Sequence, residues 1–97
     1  MAKLNKAARG KHRWIGFRVL KEEISRSECE MILSEALNSV NWRLFDFKNI
    51  NGVSTGVVKV PLELYKESIQ SINEGLQLET LTSSGKINLV RERLALK

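Results

Sequence analysis

Few residues in this 97-residue chain could do chemistry on their own. There is one histidine, His12, and one cysteine, Cys29, so no cluster has the ligands or the spacing of a metal site. Cys29 falls on an apolar helical stripe without a base partner, which favours a small core residue over a nucleophile. No HExxH, GxGxxG or P-loop motif occurs. The sequence therefore predicts a protein that is not an enzyme by itself and that binds no cofactor.

The stretch Ser83-Ser84-Gly85-Lys86 is the best candidate for an anion site. Its small residues, hydroxyl groups and lysine precede an apolar period that is typical of a helix. Free backbone amides at a helix N-terminus attract phosphate, and a nearby lysine strengthens that attraction. Loops of this composition also lead into helices that bind nothing, so composition alone does not distinguish the two.

Positive charge is concentrated at the start of the chain. Residues 1–21 carry a charge of +7 and no acid, whereas the whole chain carries +5, so the remaining residues sum to −2. Such a segment predicts an acidic partner, with nucleic acid first and an anionic membrane surface second, the alternative being a basic surface that only aids solubility. We interpret residues 1–12 as a flexible basic arm that orders on a polyanion. The seven cations are Lys3, Lys6, Arg9, Lys11, Arg13, Arg18 and Lys21.

Four stretches alternate or cluster apolar residues as strands do. Asn51-Gly52 lies between two of them and predicts a β-hairpin, because both central positions of a type I′ turn need positive φ. Gly56 indicates a bulge or bend in the second hairpin strand. In the first hairpin strand the alternation is imperfect, which leaves open which of Leu44, Phe45 and Phe47 face inward. The predicted strands are 14–20, 42–50, 53–60 and 76–81.

Three stretches have apolar residues at helical spacing. Ser25 and Ser27 compete as the N-cap of the first, and Ser27 with Glu30 has the spacing of a capping box. Pro61 suits the first turn of the second helix, and Gly75 suits its C-cap. The predicted helices are 27–40, a second from near Pro61 to Gly75 with a stripe that includes Leu76, and a third at 87–94 after a loop over 82–86.

This order predicts an α+β fold, the β-α-β-β-α-β ferredoxin-like sandwich that RNA-recognition motifs also adopt. Both long helices would cover one face of a four-stranded antiparallel sheet, and the C-terminal helix would cover the other or leave it open. We expect one domain over 13–97 after the arm. A lone cysteine, no signal peptide and no run of about 20 apolar residues predict a cytoplasmic protein without a membrane partner.

The predicted sheet lacks the aromatic pair on which RNA-recognition motifs stack bases. The third strand has no aromatic residue, and Trp14 and Phe17 fall on opposite faces of the first. We expect Trp14 to pack beneath the terminal helix rather than stack on a base. Cations without a stacking platform favour recognition of the phosphates and shape of folded RNA.

Three segments resemble the archaeal and eukaryotic ribonuclease P protein component 2 family. Arg9-x-Lys11-x-Arg13-Trp14-Ile15-x-Phe17-x-Val19 is similar to its basic lead-in and first strand, with Trp14 where tyrosine is usual. Gly56-Val57-Val58-Lys59-Val60 is similar to its Gly-Ile-Val-Arg-Val strand. Ser84-Gly85-Lys86-Ile87 is similar to its Ser-Gly-Thr-Ile turn, with Lys86 in place of threonine. The order of elements agrees over residues 9–94.

The resemblance implies a non-catalytic subunit of ribonuclease P, whose RNA removes the 5′ leader of precursor tRNA with magnesium bound to that RNA. The protein would stabilise the catalytic domain of the ribonuclease P RNA, pair with ribonuclease P protein component 3, self-associate, and meet precursor tRNA only indirectly. An apolar patch on the helical face or around Phe45 and Phe47 would serve the protein partner. The RNA-binding residues would be Arg9, Lys11, Arg13, Arg18, Lys59, Ser84, Gly85, Lys86 and Arg91.

Two alternatives share the same fold. The first is another structural RNA-binding protein of the ribosomal type, which composition does not separate from a ribonuclease P subunit. The second is a ferredoxin-like ligand-binding or assembly domain that uses its sheet edges and is indifferent to RNA. The basic arm argues against the second, because an assembly domain has no need of seven cations without an acid.

Overall fold

The computed structural model describes residues 11–95, and its sheet has the strand order β2-β3-β1-β4 with every pair antiparallel. This confirms the predicted α+β architecture, which is consistent with a ferredoxin-like fold. Residues 1–10 of the predicted arm lie outside the described residues. The elements are β1 His12–Val19, α1 Arg26–Ala36, β2 Arg43–Ile50, β3 Val53–Pro61, a 3₁₀ turn Leu62–Leu64, α2 Tyr65–Glu74, β4 Leu78–Ser84 and α3 Ile87–Arg93.

The two faces of the sheet are covered by different helices. On one face, Ile15 and Phe17 of β1 are buried with Leu33 of α1 and Ile72 of α2 in the main core. On the other face, Val57 of β3 packs with Val90 of α3, and Trp14, Ile87 and Leu94 pack around them. The terminal helix therefore covers part of the second face, and Trp14 packs beside it as predicted.

Gly16 lets α3 approach the sheet. A Cβ at Gly16 would lie 2.6 Å from Leu94 Cδ1 and 3.0 Å from Val90 Cγ1. Glycine is used in strands where another segment of chain comes this close. The side chains of α3 and of the residue after it thus fill the space above Gly16.

Helix α1 begins one residue earlier and ends four residues earlier than predicted. Its N-cap is Ser25 rather than Ser27: the Ser25 hydroxyl accepts from Glu28 N at 3.2 Å, and Glu28 Oε1 accepts from Ser25 N at 3.1 Å. Leu37 closes the helix, and a turn in which Val40 N donates to Leu37 O follows it. Val40 still packs against the core, so its helical spacing reflects burial without helix.

The Asn51-Gly52 hairpin is confirmed, with φ of 52° and 82° at the two turn residues. The irregularity predicted at Gly56 of β3 lies instead in the neighbouring strand β2, where the register shifts between Leu44 and Asp46. Gly56 serves packing, because a Cβ there would lie 2.7 Å from Phe17 Cζ and 2.9 Å from Asp46 O.

The boundaries around α2 also differ from the prediction. Pro61 ends β3, and the helix starts only at Tyr65. Gly75 is the C-cap of α2, as predicted. Positive φ falls on the next residue, Leu76 (61°), which is 81% exposed instead of lying on the core stripe. Residues 82–84, predicted as loop, extend β4. None of the helices within 11–95 is long and apolar enough to span a membrane.

Candidate nucleic-acid interface

All four strands bring cationic or hydroxyl side chains to one end of the sheet. At this end β1 and β2 begin and β3 and β4 end, because all neighbours are antiparallel. One row of paired residues crosses the four strands here: Arg43, Lys59, Trp14 and Ser84. Lys11 joins the row from outside, since its carbonyl accepts from Leu62 N at 3.1 Å. We call this region the arm end, because residues 1–10 lead into it.

Arg13 lies against the turn that follows β4. A Cβ at Gly85 would lie 2.9 Å from Arg13 Nη1, so the guanidinium sits directly against the glycine. The Arg13 guanidinium lies 5.8 Å from the centre of the Tyr65 ring, and its Nη1 donates to His12 O at 3.3 Å. The Tyr65 hydroxyl is 2.7 Å from Ser83 Oγ, which ties α2 to β4 beneath it. The fold thereby joins Arg13 to the Ser84-Gly85-Lys86 turn across more than seventy residues of sequence.

The turn itself offers an exposed lysine side chain but fewer free amides than predicted. Ser84 Oγ accepts from Lys86 N at 3.1 Å, so one of the amides expected to be free has a partner. The Lys86 carbonyl accepts from Leu89 N, and the Lys86 side chain is exposed. Helix α3 has only seven residues, which leaves little helix dipole at its start. The predicted phosphate site is therefore better described as Lys86 beside Arg13.

An aromatic pair with cations lies on the same row. The ring centroids of Trp14 and Phe45 are 6.4 Å apart in an edge-to-face arrangement with an interplanar angle of 75°. Arg43 Cζ and Lys59 Nζ each lie 5.4 Å from the Phe45 centroid, within the range of a cation–π contact. The His12 ring is 6.4 Å from Trp14. The third strand has no aromatic residue, so Trp14 meets its aromatic partner, Phe45, on β2.

Sequence patterns left the orientation of Phe45 open because β2 is irregular. Strict alternation puts Phe45 and Phe47 on one face, but the register shift between Leu44 and Asp46 leaves Leu44 and Phe47 on the core face. Phe45 belongs to neither core cluster and faces the cations instead. Leu44 and Phe47 are three residues apart, and this odd spacing of inward residues is the signal in the sequence for an irregular strand. Phe45 and Phe47 consequently do not form one apolar patch for a protein partner.

Among the described residues, the cations predicted to bind RNA, together with Arg43, fall into two groups according to whether a carboxylate pairs with them. Arg18 pairs with Glu79 at 2.6 Å, and Arg91 makes two hydrogen bonds to Asp46 at 2.7 and 3.2 Å. The hydrogen bond to Asp46 raises the pKa of Arg91 above its ordinary value. Arg18 and Arg91, both predicted to bind RNA, thus have carboxylate partners. Within residues 11–95, no ion pair involves the cations of the arm end, which are Lys11, Arg13, Arg43, Lys59 and Lys86.

The predicted site residues therefore separate by position. Lys11, Arg13, Lys59 and the Ser84-Gly85-Lys86 turn are brought together at the arm end. Arg9 lies outside the described residues. The fold adds two residues to this region that the sequence did not single out for RNA, Arg43 and Phe45.

A second surface feature lies on the helical side of the sheet, near the start of β4 and away from the arm end. Helices α1 and α2 border a shallow groove of about 320 Å³ whose lining includes Ile32, Glu35 and Glu74. Its carboxylates give it the charge opposite to the arm end. No group of histidine, cysteine and carboxylate residues within 11–95 could hold a metal ion.

Comparisons with protein-family models, with curated proteins and with solved structures find no match for this chain. Two of the three resembling segments lie in neighbouring strands, β1 and β3. The third begins at Ser84 of β4, which pairs with Trp14 of β1. Segments far apart in sequence thus meet at the arm end.

Proposed function

We propose that this protein binds RNA through the arm end and does so mainly by neutralising phosphates. The observation that carries the proposal is the contrast between the two groups of cations. Arg18 and Arg91 have carboxylate partners, whereas the five cations of the arm end, within the described part of the chain, have none. Clustered cations without carboxylate partners repel one another, and a polyanion relieves that repulsion.

The more specific proposal is that the RNA is that of ribonuclease P. Its support is the resemblance of three segments together with their meeting point at the arm end. Under this proposal, the protein sits in the cytoplasm as an accessory subunit, pairs with ribonuclease P protein component 3 and leaves the chemistry to the RNA and its magnesium. Arg13 and Lys86 would hold phosphates where RNA strands crowd. Phosphate contacts of this kind position a strand without reading its sequence.

Assembly through a protein partner is a second function that one observation favours. The groove between α1 and α2 combines Ile32 and Ile72 with Glu35 and Glu74, near the start of β4 and away from the arm end. A subunit of a ribonucleoprotein needs one surface for RNA and another for protein. The groove is the candidate for the second surface, with component 3 as the expected occupant.

The test is a reconstitution with two arms. The first arm measures binding of the full chain to ribonuclease P RNA at several salt concentrations. The second arm measures cleavage of the precursor tRNA leader at limiting magnesium, with and without the protein and component 3. We expect tight, salt-sensitive binding and faster cleavage when both proteins are present, because phosphate neutralisation lowers the magnesium that the RNA needs.

The two arms separate the general proposal from the specific one. Salt-sensitive binding to several folded RNAs without a gain in leader cleavage would support RNA binding and remove ribonuclease P, leaving a structural protein of the ribosomal type. Binding that is absent or indifferent to salt would remove both, and would favour the ligand or assembly domain.

A further inference from the structure

We propose that Phe45 is a stacking site for one unpaired RNA base, with Trp14 at its border, and that Arg43 and Lys59 hold the phosphates of the same nucleotide. This inference rests on the proposed RNA binding and adds what part of the RNA the arm end selects. It departs from the expectation, drawn from the third strand alone, that the sheet has no platform for bases.

The position of Phe45 is the first step. The register shift between Leu44 and Asp46 turns Phe45 to the face opposite the main core. Its ring is half-buried, packs in neither core cluster, and meets Trp14 edge-on. An aromatic ring that contributes to no core and lies among cations suits a base better than it suits folding.

The two cations on the ring are the second step. Arg43 and Lys59 are paired across β2 and β3, and each lies 5.4 Å from the Phe45 centroid. A base has a π-face that stacks on Phe45 in place of a cation, and its phosphate offers the displaced cation a full negative charge. The cations thus keep the ring accessible to a nucleotide while discouraging an apolar protein segment, which offers them no charge.

Trp14 supplies the third step. Its Nε1 donor is buried and finds no hydrogen-bond partner among the described residues. Leaving a buried donor unpaired is unfavourable, and phenylalanine at this position would fill space without that cost. The indole is therefore not explained by packing under α3 alone. Its ring stands edge-on to Phe45 and therefore borders the base that stacks there.

The test compares single-stranded and duplex RNA. The probes are an oligouridylate and a blunt RNA duplex of equal length, and the variants of the full chain are Phe45→Leu and the conservative Phe45→Tyr. We expect Phe45→Leu to weaken oligouridylate binding about tenfold, since stacking of one base contributes on that order. Phe45→Tyr retains the ring and should bind like the unaltered chain. Duplex affinity should be unchanged in both, because paired bases do not reach the ring.

Three results would overturn the stacking site. The first is that Phe45→Leu binds oligouridylate as tightly as the unaltered chain does. An equal loss of affinity for both RNAs is the second, because it would mean that the ring only holds the cations in place. A Phe45→Tyr variant that loses as much affinity as Phe45→Leu is the third. Circular dichroism of each variant checks that the sheet is intact.

Fluorescence gives a second readout that needs no loss of affinity. In a Trp42→Phe background, Trp14 is the only tryptophan, because the chain has two. Stacking predicts that oligouridylate quenches Trp14 and that inorganic polyphosphate does not. Equal quenching by polyphosphate would overturn the site.

The variant Arg13→Ala/Lys86→Ala distinguishes failure of this inference from failure of RNA binding. It leaves Phe45 in place and should weaken both RNAs. If it weakens both while Phe45→Leu weakens neither, the stacking site is wrong and the phosphate surface stands. If neither variant changes any affinity, the arm end is not an RNA site and both proposals fall.

Discussion

Burial raises the pKa of the Cys29 thiol to about 12 from 9.0, and the charge of Glu30 adds to the rise while Arg26 opposes it. The thiol packs in the main core, between α1 and the sheet. A thiol with so high a pKa is protonated at neutral pH and is a poor nucleophile. The residue-scale interpretation of Cys29 as a core residue therefore agrees with its surroundings.

The raised pKa predicts a loss of stability in alkaline solution. Between pH 9 and about 12, the folded state keeps the Cys29 proton that the unfolded state releases. Folding then binds protons, so the free energy of unfolding falls as pH rises through this window and is unaffected by this group at lower pH. Urea titrations at pH 7 and above pH 9 should show a smaller alkaline loss in Cys29→Ala than in the unaltered chain. Equal losses would contradict the assignment.

At the scale of elements, the two buried glycines of the sheet differ in what they exclude. At Gly16 a Cβ would meet the ends of Leu94 and Val90, which can shift with α3. At Gly56 it would meet the buried Phe17 ring at 2.7 Å and the backbone oxygen of Asp46 at 2.9 Å. Neither neighbour of Gly56 has room to move.

The contrast predicts an order of stability among two alanine variants. We expect Gly56→Ala to cost about 3 kcal/mol and Gly16→Ala about 1 kcal/mol, the range typical of overpacking. Chemical denaturation measures both against the unaltered chain. A Gly16→Ala variant that loses more stability than Gly56→Ala would mean that α3 is held more rigidly than its partly exposed position indicates.

The elements show which parts of the fold local sequence could specify. The Asn51-Gly52 turn and the strand-helix order follow from signals within a few residues, and both were predicted correctly. The irregularity at Phe45 depends on pairing with β3, and the positive φ of Leu76 depends on how α2 meets β4. Such features follow from contacts between distant segments, so local sequence placed the sheet irregularity at Gly56 and gave no sign of the positive φ at Leu76.

The candidate site also has a part that local sequence predicts and a part that only the fold reveals. Lys11, Arg13 and Lys86 stand out in the sequence by charge, and the fold brings them together. The sequence gives no sign that Arg18 and Arg91 pair with Glu79 and Asp46, because each partner is more than forty residues away. The place of Arg43 in the site is equally hidden in the sequence, because Arg43 meets Lys59 only through the pairing of the two hairpin strands.

At the scale of the whole molecule, the fold separates opposite charges. Helices α1 and α2 carry five carboxylates against two cations, whereas the arm end of the sheet carries five cations without a carboxylate partner in residues 11–95. A charge distribution of this kind orients a polyanion toward one end of the protein and speeds its association. The arm adds Lys3, Lys6 and Arg9 in sequence next to that end.

The central claim is that the position of the cations, and not the net charge, determines RNA binding. Two double variants remove the same charge from different places. Arg13→Ala/Lys86→Ala removes two cations of the arm end, and Arg18→Ala/Arg26→Ala removes two that have carboxylate partners at Glu79 and Glu30. Folding of each is checked by circular dichroism before binding is compared.

The decisive measurement is the slope of log affinity for folded RNA against log salt concentration in both variants. We predict that the slope of Arg13→Ala/Lys86→Ala is shallower than that of the unaltered chain by about 1.4 to 1.8, since two phosphate contacts are lost. The slope of Arg18→Ala/Arg26→Ala should match that of the unaltered chain. Equal slopes in the two double variants would contradict the account, because net charge alone would then explain the binding.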